Sequence, residues 1–242
     1  MPNPVRGILF DKDGTLVDYE ATWAPINIKA AAFAAAGDQT LARHLLQLGG
    51  HDLSTGRIKG GSLLAAGNTI EIADAWVEAG APHKVARLTR ELDRIFTGGA
   101  SAAVAVPGVV PLFNALERAG IRTGVATSDS VGGARVTLDT IGLKGKAGFV
   151  AGYDSGHGVK PEPGMADAFA AASNLPLTDL VMVGDNLHDI RMGIAAGYSL
   201  CIGVLTGTGT RAELSAEAHH VLADVTELPA LLRQLDRWPS EP

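Results

Sequence analysis

The chain has 242 residues, with 20 Lys+Arg against 26 Asp+Glu, a formal charge of −6, and 46% hydrophobic residues. This balance excludes a disordered chain, and at roughly 150 residues per domain it allows one large domain, alone or with a smaller companion. The acidic sign without any dense Lys/Arg run argues against nucleic acid as a partner, and no apolar run reaches the roughly 18 residues of a membrane span.

The apolar run from Val5 to Phe10 ends in Asp11 and is too short for a secretory leader, so the protein is expected in the cytoplasm. The run itself reads as a buried strand. Further strands are expected at Ile121–Ala126, Gly148–Ala151, Leu180–Val183 and Tyr198–Leu205. Between them lie helical stripes. Leu112, Leu116 and Ala119 share a face that stops at Gly120, and Ala134, Leu138 and Ile141 repeat the pattern. Pro163 opens a helix through Phe169 and Ala172, Ile190, Ile194 and Ala195 form another stripe, and Leu228, Leu231, Leu232 and Leu235 close the chain. His219 and His220 flank a terminal strand or helix. Strand–helix alternation predicts an α/β fold, a Rossmann-like parallel sheet with helices on both faces in three layers.

The connection from Phe10 to Ile121 is too long for one crossover helix. It is alanine-rich at 30–36, carries Leu41, Leu45 and Leu48 at helical spacing, and shows an amphipathic stripe through Val85, Leu88, Leu92, Ile95 and Phe96. The expected organisation is therefore a core of 1–19 and 96–242 with an inserted helical domain over 20–95, returning through a hinge at Gly98–Ser101. The single cysteine, Cys201, can form neither an internal disulfide nor a zinc site, and its apolar surroundings mark it as a buried small hydrophobe.

The polar residues with chemistry lie where the strands end, which is where open α/β sheets bind ligands. The first strand delivers Asp11-Lys12-Asp13-Gly14-Thr15, the second Thr127-Ser128-Asp129, the third leads to Lys160-Pro161, and the fourth delivers Gly184-Asp185 and, one turn on, Asp189. Asp11, Asp13 and Asp185 crowded in one crevice require a cation, and a hard divalent ion such as Mg²⁺ suits oxygen ligands. Lys160 and the Thr127 and Ser128 donors suit anionic oxygens. Such a set describes phosphoryl transfer, in which a carboxylate can be the nucleophile. Taken singly, Asp185 or Asn186 could merely cap a helix, Asp189 could be a first-turn acid and Lys160 a surface lysine. Joint occurrence at four strand ends favours the catalytic reading.

Asp11-Lys12-Asp13-Gly14-Thr15-Leu16-Val17-Asp18, Thr127-Ser128, Lys160-Pro161 and Gly184-Asp185-…-Asp189 occur in an order that resembles the haloacid dehalogenase-like hydrolases, in the phosphatase branch with a helical cap. The layout, with Val106-Pro107-Gly108-Val109 before the second strand, is most similar to phosphoglycolate and related sugar-phosphate phosphatases. The resemblance implies Asp11 as nucleophile and Mg²⁺ ligand. It implies Asp13 as general acid/base whose backbone carbonyl also binds Mg²⁺, Thr127, Ser128 and Lys160 as phosphate-holding groups, Asp185 as metal ligand and Asp189 as a supporting acid. The implied substrate is a small phosphorylated metabolite, possibilities including 2-phosphoglycolate; oligomeric state is not implied. Lys12 departs from the commoner apolar residue there, and strand alternation directs it away from Asp11 and Asp13.

Within the insert, His51, Arg57 and Lys59 lie near glycine pairs and could reach a second anionic group, although a solvated loop is the plainer reading. Gly207-Thr208-Gly209-Thr210-Arg211-Ala212 fits a loose dinucleotide fingerprint, but too few residues follow for further βα units, which leaves a glycine-rich turn before a helix. Three function classes stay open: a Mg²⁺-dependent phosphomonoesterase, a phosphotransferase or mutase using the same aspartyl-phosphate, and a non-catalytic binding protein.

Overall fold

The computed structural model describes residues 3–239; residues 1–2 and 240–242, the outer ends of the expected core segments, lie outside the described residues. Six strands form one parallel sheet: β1 (Gly7–Phe10), β2 (Arg122–Ala126), β3 (Phe149–Ala151), β4 (Leu180–Gly184), β5 (Leu200–Val204) and β6 (His220–Leu222), in the order β3-β2-β1-β4-β5-β6. Phe10 pairs with both Val125 and Val183, and Ala126 with Ala151, so the strands finish at one level. β1 and β4 are the neighbours at which the strand order reverses, and a crevice opens beyond their carboxyl ends.

The central strands β1, β4 and β5 are apolar throughout because both faces are covered. Ile8, Phe10, Val181, Val183, Leu200 and Ile202 point to one apolar cluster, while Leu9, Leu180, Met182 and Cys201 point to the other. The first is closed by α6 (Val109–Arg118), α7 (Val131–Thr140) and α11 (Leu228–Gln234), and the second by α8 (Gly164–Ser173), α9 (Leu187–Ala195) and α10 (Arg211–Glu217). Each fully buried aliphatic or aromatic side chain of these layers contributes about 1.5–3 kcal/mol. Cys201 is buried as expected, and burial pushes its thiol up to about 12. In α9 the buried face is Ile190, Met192 and Gly193; Ile194, expected inside, is exposed.

Between β1 and α6 stand five helices: α1 (Tyr19–Ala34), α2 (Gln39–Leu48), α3 (Leu63–Ala66), α4 (Thr69–Glu78) and α5 (Val85–Gly99). Asp18 and Asp38 cap α1 and α2, and Asn68 with Glu71 forms a capping box on α4. These helices bury their own apolar cluster, which includes Trp23, Ile26, Leu45, Trp76, Leu88, Leu92 and Phe96. At the expected hinge the chain is helical: Gly98 and Gly99 lie in the last turn of α5, and a Cβ on Gly99 would sit 2.5 Å from Ile26 Cδ1. The glycine is there for close packing of α5 on α1. The polar bonds between the helical segment and the core include Val104 N to Thr22 Oγ1 (2.9 Å), Trp23 Nε1 to Asp13 Oδ1 (2.6 Å), Ser128 Oγ to the Ala66 carbonyl (3.0 Å), and Tyr153 OH to Asp93 (2.7 Å).

Candidate active site

Asp11 continues the β1 ladder by donating its N–H to the Val183 carbonyl, which holds its side chain at the mouth of the crevice. Gly14, at φ +85°, turns the chain back. A Cβ there would lie 2.7 Å from Gly207 and 2.8 Å from Asp185, so only glycine fits. Lys160, in the loop after β3, donates to Asp11 Oδ1 at 2.5 Å and pairs with Asp189 Oδ1 at 2.6 Å, all three side chains being buried. Asn186 caps α9, and Asp189 accepts the Asn186 N–H in return while its other oxygen holds Lys160. Asp189 is thus a first-turn acid of α9, as the plainer reading had it, and at the same time a partner of Lys160. Asp185 is no cap: its Oδ2 accepts from Thr208 N (2.7 Å) and Thr208 Oγ1 (3.2 Å).

Carboxylate oxygens of Asp11, Asp185 and Asp189 lie within 4.8 Å of one another. Burial, joined by Asp189 and Asp13 and opposed by Lys160, raises the Asp11 carboxyl to about 7. Burial, with Asp11 and Asp189 adding, raises Asp185 well above the carboxylate range. Lys160 is moved up despite burial, because Asp11 and Asp189 flank it. Asp11 Oδ2 is buried without a hydrogen-bond partner. An orphaned carboxylate oxygen among crowded buried acids is the arrangement a hard divalent cation satisfies, so the donor set fits Mg²⁺. The clustered carboxylates include Asp189 and not the side chain of Asp13.

Asp13 faces elsewhere, and here the expectation for Lys12 is overturned. Lys12 is fully buried, and its Nζ lies 2.6 Å from Asp13 Oδ2, 3.4 Å from Asp129 Oδ2 and 5.2 Å from the centre of the Trp23 ring. Trp23 Nε1 also donates to Asp13 Oδ1 at 2.6 Å. Strand alternation fails at this point because β1 ends at Phe10 and the chain enters a turn, with Leu16 and Val17 N–H groups bonding the Lys12 carbonyl. Burial opposes the Lys12 charge, but Asp13 and Asp129 outweigh it and raise its pKa.

Thr127 extends β2 through its N–H to the Ala151 carbonyl, and its hydroxyl accepts from Asp129 N. A cavity of about 30 Å³ collects Asp11, Asp13, Thr127, Ser128, Lys160, Asp185 and Asp189 with His188 beside them. A second, of about 50 Å³, shares Asp13 and Ser128 with it and runs up between the sheet and the helices along Trp23, Asn27 and Phe96. Of the expected site residues, Arg57 and Lys59 are not brought here. Arg57 is 78% exposed beside Glu20, and Lys59 is exposed. Sequence reasoning placed Asp129 at the strand end without a role, and missed Trp23, Asn27, His188 and Thr208. Thr208 could have been found by the rule that found the others, since its loop follows the carboxyl end of β5.

Residues 5–197 match the family described as haloacid dehalogenase-like hydrolase, and the chain belongs to that family. A phosphoglycolate phosphatase from Rhodospirillum rubrum is 32% identical over 117 residues, 48% of each chain, so this match spans about half of that relative. A phosphoglycolate phosphatase from Cereibacter sphaeroides is 30% identical, with 95% of this chain and 98% of the relative covered. The solved structure of CbbY from Rhodobacter sphaeroides in complex with phosphate superposes with TM-score 0.68 at 23% identity, over 93% of this chain and 96% of that one, a likeness of fold.

Proposed function

We propose that the protein is a Mg²⁺-dependent phosphomonoesterase that acts on a small phosphorylated metabolite through a phosphorylated Asp11. The observation that carries this reading is the joint placement of Asp11 between Lys160 and the Asp185 and Asp189 carboxylates, beside the Thr127–Ser128 segment. Phosphoglycolate phosphatase is the name of several relatives, and 2-phosphoglycolate belongs in the substrate panel for that reason.

In this reading Asp11 attacks phosphorus, and Lys160, Thr127 and Ser128 hold the non-bridging oxygens. Asp13 gives a proton to the leaving oxygen and then takes one from the attacking water. Asp11 and Asp185, with the Asp13 carbonyl, would hold Mg²⁺, which when bound supplies charge neutralisation for the phosphoryl group. Asp189 positions Lys160. Residues 1–19 and 96–242 act as the catalytic core, and 20–95 acts as a lid that excludes water. Trp23 of the lid donates to Asp13, which ties the lid's position to the acid/base, and the Ala66 carbonyl of the lid accepts from Ser128 Oγ.

The test separates the two aspartates. Asp11→Asn abolishes turnover and any covalent adduct. Asp13→Asn lowers turnover of alkyl phosphates by about 10²–10⁴-fold and, with an aryl phosphate that needs no leaving-group proton, accumulates phosphate on Asp11. Intact-mass and peptide analysis after rapid quench locates the adduct; phosphate on another residue, or on the Asp11→Asn protein, defeats the assignment. Free phosphate as the product, rather than an isomerised phosphate ester, separates hydrolase from mutase.

A further inference from the structure

We infer that the site takes phosphomonoesters of small uncharged alcohols, with an acceptor atom for Asn27 Nδ2, and discriminates against leaving groups that carry a carboxylate. The inference rests on the phosphomonoesterase reading and adds the chemistry of the substrate's other end. Because the leaving oxygen must lie against Asp13, the leaving group occupies the cavity that Asp13 shares with the helical segment. It does not occupy the groove along Gly60, Arg191 and Glu213, which Asp13 does not line.

That cavity is about 50 Å³. At about 10–15 Å³ for each water-sized occupant, it has room for roughly three to five heavy atoms. Trp23, Leu64, Ile72 and Phe96 give it apolar walls. Its charged lining residues are Asp13 and Asp129, both acidic, and no cationic side chain lines it. The nearest cation in the chain's order, Lys12, is fully buried and held by those same two acids. Lys160 is held by Asp11 and Asp189 and lines only the phosphoryl half, as does His188. Arg57 and Lys59 are in solvent. A second anionic group would therefore be desolvated against two carboxylates with no counter-charge.

One buried donor in its lining is left over for a ligand. Asn27, on α1, is 2% exposed, and its Nδ2 has no hydrogen-bond partner in the protein. A buried amide donor without an acceptor is costly, and a hydroxyl or carbonyl oxygen on the leaving group would satisfy it. Asn27 is thus the specificity-determining residue of the lid, in place of the Arg57 and Lys59 pair that the sequence suggested.

The decisive comparison is a matched pair: 2-phosphoglycolate and its carboxamide, phosphoglycolamide, which share shape and differ in charge. The full chain with Mg²⁺ is assayed for kcat/KM on both, with acetyl phosphate as reference. The amide is expected to be preferred by about 100-fold or more. Asn27→Leu, of similar size without the donor, is expected to reduce the ratio of kcat/KM for phosphoglycolamide over propyl phosphate about tenfold. Equal or better turnover of 2-phosphoglycolate, with acetyl phosphate hydrolysed, overturns the inference while the phosphomonoesterase reading stands. An unchanged ratio in a folded Asn27→Leu protein removes Asn27 from the specificity role. Failure to turn over any phosphate ester, or the acyl phosphate used as reference, overturns the phosphomonoesterase reading and this inference with it.

Discussion

Replacing Lys12 by Met keeps an unbranched stem of similar length and removes the one charge placed between Asp13 and Asp129. Breaking a buried ion pair from one side costs about 3–5 kcal/mol, because the remaining charge is stranded. The lower end applies here: Asp13 keeps the Trp23 Nε1 bond and some water, its side chain being 16% exposed, and Asp129 keeps the Ser130 N–H at 2.7 Å. A loss of about 3 kcal/mol corresponds to a fall of roughly 6–12 °C in Tm for a chain of this size. The deficit should also depend on pH. Burial, the largest influence on Asp129, holds its folded pKa above the unfolded value. Folding is therefore penalised as pH rises past the unfolded value, and the penalty is relieved as pH falls through the folded one. Without Lys12 the folded value moves higher still, so the gap between variant and wild type narrows from pH 8 to pH 5. Lys12 itself, with its pKa raised, stays charged across that window. Lys12→Met combined with Asp129→Asn should recover part of the loss. Scanning calorimetry at both pH values measures all of this; a fall below about 2 °C, or a deficit that widens toward pH 5, would refute the reasoning. The same variant should lose kcat more than KM, since Asp13 loses its orientation while the phosphoryl contacts remain.

Exhaustive chelation is expected to abolish turnover of a phosphomonoester and Mg²⁺ to restore it, measured as released phosphate; full activity after chelation would remove the metal from the reading. Gly207→Ala places a Cβ 2.0 Å from Asp185 Oδ2 and must displace that carboxylate, so the Mg²⁺ concentration for half-maximal activity should rise at least about tenfold with little change in Tm. Arg57→Ala and Lys59→Ala, both in solvent, should leave kcat/KM within about twofold across a panel of phosphorylated metabolites, and a larger loss on any one substrate would bring that residue back to the site.

The sheet was legible because its strands are short apolar runs that stop at polar residues, and covered faces leave no other pattern for them. Strand ends moved by only one or two residues, as at Val5 and Tyr198, where the chain is buried but unpaired. The terminal β6 was less legible, since His220, Val221 and Leu222 are all half-buried at the sheet edge and resemble a loop. Asp11, Lys160, Asp185 and Asp189 were found because topology alone brings strand ends together. What the sequence could not carry was any contact across the helical segment. Nothing in the sequence singles out Trp23 or Asn27, and only the way α1 seats on the sheet turns one face of that helix toward Asp13. Lys12 was misread for a related reason: the alternation rule holds within a strand, and β1 stops one residue before the motif begins.

The charge of the site explains why these contacts are arranged as they are. Five buried or nearly buried aspartates, Asp11, Asp13, Asp129, Asp185 and Asp189, face two lysines, Lys12 and Lys160. The lysines are not shared evenly. Lys160 serves Asp11 and Asp189, and Lys12 serves Asp13 and Asp129, which divides the acids into two locally paired groups. Asp185 has no lysine or arginine within ion-pair distance among the described residues, and only the Thr208 N–H and hydroxyl support it. The surplus negative charge is thus concentrated beside the orphaned Asp11 Oδ2, where burial already holds two carboxyls above their usual range. On the proposed reading a divalent cation offsets that surplus and lets a phosphoryl dianion enter. The same division leaves the Asp13 side, where the leaving group sits on the proposed reading, with its lysine engaged by Asp13 and Asp129.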